Sequence, residues 1–182
     1  MKRALILALA LAACRDEVAQ NVDPVVLTPE TLGHFCQMNL LEHEGPKGQV
    51  HLDGLPGAPL FFSQVSDLVT YLRLPEQSNA VLAIYVSDMG ANGATWEQPG
   101  ADNWTDARTA TFVVGSDALG GMGAPEIVPF ADPSKAEAFT AVHGGVTMTL
   151  DAIPDTAIST MDQSIPTGDD DYARRLKTLS EG

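Results

Sequence analysis

Cys36 and Met38 stand one residue apart in the stretch GHFCQMNL, with His34 two positions before the cysteine. Thiolate and thioether sulfurs are soft donors that favour Cu(I), whereas zinc normally takes three or four Cys, His or carboxylate ligands and magnesium or calcium take oxygens. A Cys-x-Met pair in a turn can present both sulfurs to one ion, and one further Met or His raises the count to three. Low coordination leaves a face open, so that an acceptor's ligand enters before the donor's ligands leave; the pattern suits transfer more than storage. Two more thioethers fall in glycine-rich loops, Met89 in SDMGANG and Met122 in LGGMGAP, where the neighbouring sequence supplies no core to bury them. Met148 alternates within VTMTL and reads as ordinary core filling. The candidate metal ligands are therefore Cys36, Met38, Met122 and Met89, with His34 after them. His43 and His51 flank or enter a strand and read as surface residues.

The only other cysteine, Cys14, closes the run MKRALILALALAAC. Lys2 and Arg3 precede an apolar stretch from Ala4 to Ala13 that is too short to span a bilayer, so residues 1–13 read as an export signal. Leu11-Ala12-Ala13-Cys14 fits the lipobox of bacterial lipoproteins, in which the cysteine is acylated on sulfur and becomes the first residue of the mature chain. Each buried methylene adds about 0.8 kcal/mol, so two or three acyl chains hold such a protein on a membrane. The body is expected in the periplasm. Arg15 follows the lipidated cysteine where inner-membrane retention often uses aspartate, which favours the outer membrane slightly. With Cys14 acylated, Cys36 is the sole thiol and no intramolecular disulfide is possible. A solitary thiol in an oxidising compartment is open to mispairing and oxidation, so it needs a use.

Charge narrows the partners. The formal net charge is −14, and cleavage would remove Lys2 and Arg3 and take it to −16. Such a chain has no basic face for nucleic acid or anionic lipid.

The elements that must hold these sulfurs repeat. Residues 14–30 are polar with two prolines and read as a lipidated tether. In a first module, 31–95, GQVHLDG and APLFFS read as strands. SQVSDLVTYLRL reads as a helix with Val65, Leu68, Val69 and Leu72 on one face and Ser63 or Ser66 as cap, and VLAIYVSD as a closing strand. In a second module, 105–154, TATFVVGS and EIVPFA are strands around the glycine-rich loop. DPSKAEAFTAVHGG is a helix capped by Asp132, begun by Pro133 and stopped by Gly144, and VTMTLDAI closes the unit. Two ββαβ units, each too small to bury a core alone, make an α+β protein with mostly antiparallel sheets. Residues 155–182 read mostly as a flexible tail.

These motifs in order resemble the NosL family, the accessory lipoproteins of nitrous oxide reductase. The resemblance rests on Cys14, CQMNL, GPKGQVH, APLFFS, YVSDMG, GGMGAPEIVPF and AEAFTAVHGG, and covers roughly Leu32 to Asp151. It implies Cu(I) binding and delivery toward the copper–sulfide catalytic cluster of nitrous oxide reductase through a membrane ABC-type complex. It also implies a fold distantly like organomercurial lyase. Many members carry a fuller Cys-x-x-Cys-Gly-Met segment, whereas Phe35-Cys36-Gln37-Met38 keeps one cysteine here, so thioethers or a histidine must complete any site within a monomer. A thiolate can also bridge two ions, which allows a copper-linked homodimer.

Two other classes stand beside this one. A lyase-like enzyme would need a pair of thiols, and only one is present. A metal-free lipoprotein adaptor presenting an acidic face to an envelope complex remains, and uptake of Cu(I) separates it from a carrier.

Overall fold

The computed structural model describes residues 19–158. The export signal, Cys14 and the residues after Ile158 lie outside that range. Seven strands and two helices follow in the order β1 (Gly48–Leu52), β2 (Leu60–Phe62), α1 (Val65–Arg73), β3 (Val81–Ser87), β4 (Trp104–Asp106), β5 (Thr111–Ser116), β6 (Val128–Phe130), α2 (Pro133–His143) and β7 (Gly144–Met148). One sheet has the order β2-β1-β3-β4 and the other β6-β5-β7, with every pairing antiparallel. The two ββαβ units expected from the sequence are therefore present and share one topology, with the first strand of each in the middle. β4 is an addition that the sequence did not signal. It is only three residues long and pairs Thr105 with Val86 at the edge.

The helices form for reasons visible in their residues. α1 buries Val65, Leu68 and Val69 against β1 and β2. α2 begins at Pro133, its cap Asp132 accepts the Ser134 N–H at 2.8 Å, and Gly144 ends it at φ 71°. Neither serine proposed for α1 caps it. Gln64 holds the cap position without a side-chain bond, and the Ser66 N–H donates instead to Glu126 Oε1 at 3.1 Å, a carboxyl supplied by the other unit.

That reach across units runs through the core as well. Val50, Phe62, Val65, Leu68, Ile84 and Val86 of the first unit pack with Phe112, Val114, Ile127 and Ile153 of the second in one cluster. A smaller cluster of Val113, Val128, Phe130 and Ala136 sits beneath α2. On β1, Gly48 lets α1 approach the sheet. A Cβ there would meet the Leu68 side chain, with its Cβ at 3.3 Å. Gly48→Ala should lower unfolding stability by about 1–3 kcal/mol, as overpacking does, and urea denaturation would read it. An unchanged midpoint would mean that α1 slides freely on the sheet.

Three expectations need correction here. His51 is not a surface residue: it is 1% exposed, on the central strand. Strand alternation sends Gly48, Val50 and Leu52 toward α1 and Gln49 and His51 to the other face. That other face is covered by the segment expected to be a tether. Gln20 donates to Leu52 O at 2.9 Å, Val25 N–H donates to Gln49 Oε1 at 2.8 Å, and Gln49 Nε2 returns a bond to Val25 O at 3.1 Å. From Gln20 onward, then, this stretch is packed on the body. The start of the expected tail is likewise held: Arg73 bonds Asp155 Oδ1 and Ile153 O, both at 2.6 Å, and residues 155–157 form a 3-10 turn.

Candidate functional site

The loop from Gly33 to Met38 is closed on itself. Gly33 N–H donates to Met38 O at 3.0 Å, Gln37 N–H donates to Gly33 O at 2.9 Å, and Leu32 pairs with Asn39 across the base. His34 N–H donates to Phe61 O at 2.7 Å, tying the loop to β2. Gln37, between the two sulfur residues, has φ 55°, a left-handed conformation that costs a non-glycine residue free energy unless its surroundings hold it. Its own side chain does so, donating to Gly33 O at 3.2 Å and His34 O at 2.8 Å. Within the turn the Cys36 Sγ folds back over Gly33, where a Cβ would lie 2.5 Å from the sulfur.

Cys36 is half-buried and free, and it opens into a groove of about 740 Å³. Met122 lines the same groove from the β5–β6 loop, joined by Phe35, Gln64 and Asp67 and by Ile158 at the far end of the described chain. Met122 is 54% exposed, as its glycine-rich surroundings imply. A thiol from the first unit's leading loop and a thioether from the second unit's hairpin thus share one opening.

The other candidates are placed elsewhere. Met38 is 42% exposed and is not among the side chains lining the groove. Met89 packs against the cluster beneath α2 and lines a separate cavity of about 470 Å³ with Trp96, Phe139 and His143. The His34 ring sits among aromatic rings, with centroids 5.3 Å from Phe35, 5.8 Å from Phe62 and 5.4 Å from Tyr71. Among the described residues, no three His, Cys, Asp or Glu side chains converge where they could hold a metal.

Behind Gln64 and Ser66 of the groove wall lie buried polar groups that sequence reasoning missed. Lys47, 1% exposed, donates from Nζ to Gly45 O at 2.6 Å, Glu44 O at 2.9 Å and Ser63 O at 3.4 Å. Burial pulls its pKa down to about 8, opposed by the charges of Glu126, Cys36 and Glu44 in that order. Glu126 is buried and its Oε1 accepts from Ser66 and Ile127 N–H groups; burial pushes its carboxyl up to about 8, against those two bonds. Its Oε2 and the Oε1 of Gln64 are both buried without a hydrogen-bond partner, and both crowd the position a Cβ on Gly120 would occupy. A single carboxyl proton on Glu126, donated to Gln64, would satisfy both atoms. The signal for Glu126 was legible: an acid directly before the apolar run Ile127–Phe130 enters a buried strand, where an acid needs a partner or a proton. Lys47 carried no such signal, because a lysine between Pro46 and Gly48 reads as loop surface.

Taken together, the fold and the groove define a two-unit α+β protein with a thiol and a thioether brought to one opening. A model of the NosL family matches residues 24–158. The chain is 55% identical over 172 residues to the copper-binding lipoprotein NosL of Achromobacter cycloclastes, covering 93% of this chain and 89% of that protein. It is 32% identical over 153 residues to the copper-binding lipoprotein NosL of Stutzerimonas stutzeri, covering 82% and 77%. The crystal structure of the copper chaperone NosL from Shewanella denitrificans superposes with a TM-score of 0.67 at 31% identity, covering 74% of this chain and 97% of that one. The chain belongs to the NosL family.

Proposed function

We propose that the protein is a lipid-anchored periplasmic carrier of Cu(I) that supplies copper for the copper–sulfide cluster of nitrous oxide reductase. The observation that carries this reading is the meeting of Cys36 and Met122 in one groove from opposite units. Cu(I) is cargo here. The Cys36 sulfur gives up its proton to the solvent as the ion binds and supplies the charge that neutralises it, while Met122 adds a neutral soft donor. Met38, exposed next to Gln37 in the chain, is the sulfur an acceptor protein meets first. Met89 takes no part, because its cavity is a different one. Anchoring through Cys14 keeps the carrier at a membrane surface, near an ABC-type maturation complex, and the outer membrane is the slightly favoured site. The relatives named for copper binding and copper chaperoning support the cargo.

Anaerobic titration of the reduced protein should give one tightly held Cu(I) per monomer, preferred over Zn(II) because thioethers add little to zinc affinity. Met122→Leu should weaken that affinity by about tenfold or more, the loss typical of disturbing a metal shell, while Met89→Leu leaves it unchanged. Leucine keeps volume and apolarity, so the difference reports coordination and not folding. Equal losses in both variants, or zinc held as tightly as copper, would sink the soft-site account, and failure to take up Cu(I) tightly would argue for a metal-free adaptor with incidental sulfurs.

A further inference from the structure

Met89, Trp96, Asp117, Phe139 and His143 are among the residues that line the cavity of about 470 Å³. The loop after β3 supplies Met89 and Trp96, the residue after β5 is Asp117, and the C-terminal half of α2 supplies Phe139 and His143. The imidazole is held in place. His143 Nδ1 lies 2.9 Å from Asp117 Oδ1, the Asp117 N–H donates to His143 O at 3.0 Å, and the ring stacks on Phe139 with centroids 4.3 Å apart at 23°. With the Nδ1 proton donated to the carboxylate, Nε2 keeps its lone pair, which is how an outer carboxylate orients a metal-bound histidine. The carbonyl end of α2 adds partial negative charge beside it. Met89 is fixed as well. Its N–H donates to Pro129 O at 3.0 Å, and Asp88 Oδ1 pins the turn by accepting the Gly90 N–H at 2.9 Å and the Ala131 N–H at 3.0 Å. Its side chain packs on the cluster of Val113, Val128, Phe130 and Ala136. Trp96 brings an indole, whose face attracts a cation, and Gly45 leaves the space that its ring occupies, with Cζ2 3.2 Å from where a Cβ would stand. A thioether and an imidazole form a neutral donor pair, and the thioether favours Cu(I) over zinc.

From this geometry we infer that the cavity at the end of α2 is a second Cu(I) site, with Met89 and His143 as ligands, Trp96 as the ring the ion lies against, and Asp117 as the carboxylate that orients the imidazole. The inference goes beyond the carrier reading and stands without it, because no residue of the Gly33–Met38 loop lines this cavity. Lacking a thiolate, the second site holds copper less tightly than Cys36 does and fills after it.

The test is anaerobic titration of the full mature protein carrying Cys36→Ser with Cu(I) supplied as its acetonitrile complex, read by ferrozine competition, tryptophan fluorescence and copper K-edge X-ray absorption. One ion per chain should bind weakly, quench tryptophan emission, and show nitrogen together with sulfur in its shell. Adding Met89→Leu, His143→Gln or Asp117→Asn should each weaken that binding by at least about tenfold, and Trp96→Phe should abolish the quench. Met89→Leu keeps volume and apolarity, so its melting should follow that of Cys36→Ser alone. In the parent the same changes should remove the second equivalent of copper and spare the first, which repeats the comparison without altering Cys36. If Cys36→Ser takes up no Cu(I), or takes it up equally well with Met89→Leu and His143→Gln added, the His143–Asp117 pair is an ordinary helix-end contact and this inference falls. Loss of the parent's first ion in Met89→Leu would assign Met89 to the Cys36 site and overturn it equally, with the carrier reading intact. A parent that binds copper at the α2 cavity alone would remove the carrier reading and leave this inference standing.

Discussion

Cys36→Ser should cost Cu(I) affinity at least about a hundredfold, more than any single thioether change, because a hydroxyl is neither soft nor readily ionised. The half-buried position and the backbone bonds that close the Gly33–Met38 loop do not involve the sulfur, so the fold should survive. Bicinchoninate competition on the purified protein measures the loss directly. In a denitrifying cell the same substitution should cause nitrous oxide to accumulate when copper is scarce, with partial rescue by added copper, since a carrier accelerates delivery without performing the reduction. Gas chromatography of cultures at two copper levels checks this. Normal nitrous oxide consumption by the variant in copper-poor medium would count against the carrier.

The second large effect concerns stability. Burial raises the Glu126 carboxyl from 4.5 to about 8. Between those values the folded chain keeps a proton that the unfolded chain releases, so the group's contribution is fully present below about pH 4.5 and is lost as pH rises through 8. The loss is on the order of a few kcal/mol. Lys47, pulled down from 10.5 to about 8, acts in the opposite sense above that point, and stability recovers as pH climbs from 8 toward 10.5. Urea denaturation across this range should show a minimum near pH 8 in the parent. Glu126→Gln should remove the acid-side slope, because an amide can accept from Ser66 and Ile127 and donate to Gln64 at any pH. Glu126→Ala should instead lose about 1–3 kcal/mol for each N–H left unpaired. Parallel pH profiles for the parent and Glu126→Gln would show that Glu126 is ionised throughout, contrary to its burial.

How much of this could be read from residues follows how local each cause is. α2 was legible because Asp132, Pro133 and Gly144 are adjacent signals acting on their own backbone. The cap of α1 was not, because its acceptor is Glu126, 60 residues away. His51 was misjudged for a related reason: alternation in β1 marks two faces correctly, but only the fold reveals that residues 20–27 cover the second. Among the sulfurs, the glycines around Met122 foretold its exposure. Similar glycines around Met89 did not, because the cluster it packs against, Val113, Val128, Phe130 and Ala136, comes from the second unit. The convergence of Cys36 and Met122 depends on how two units dock, which no spacing encodes.

The two units repeat one topology, yet their first hairpins differ in length. Residues 53–59 join β1 to β2, whereas residues 117–127 join β5 to β6, seven against eleven. The longer connection is the one that carries Met122 to the groove. The scaffold repeats while its connections do not, and the lengthening of a single hairpin is what sets the second unit's thioether opposite the first unit's thiol.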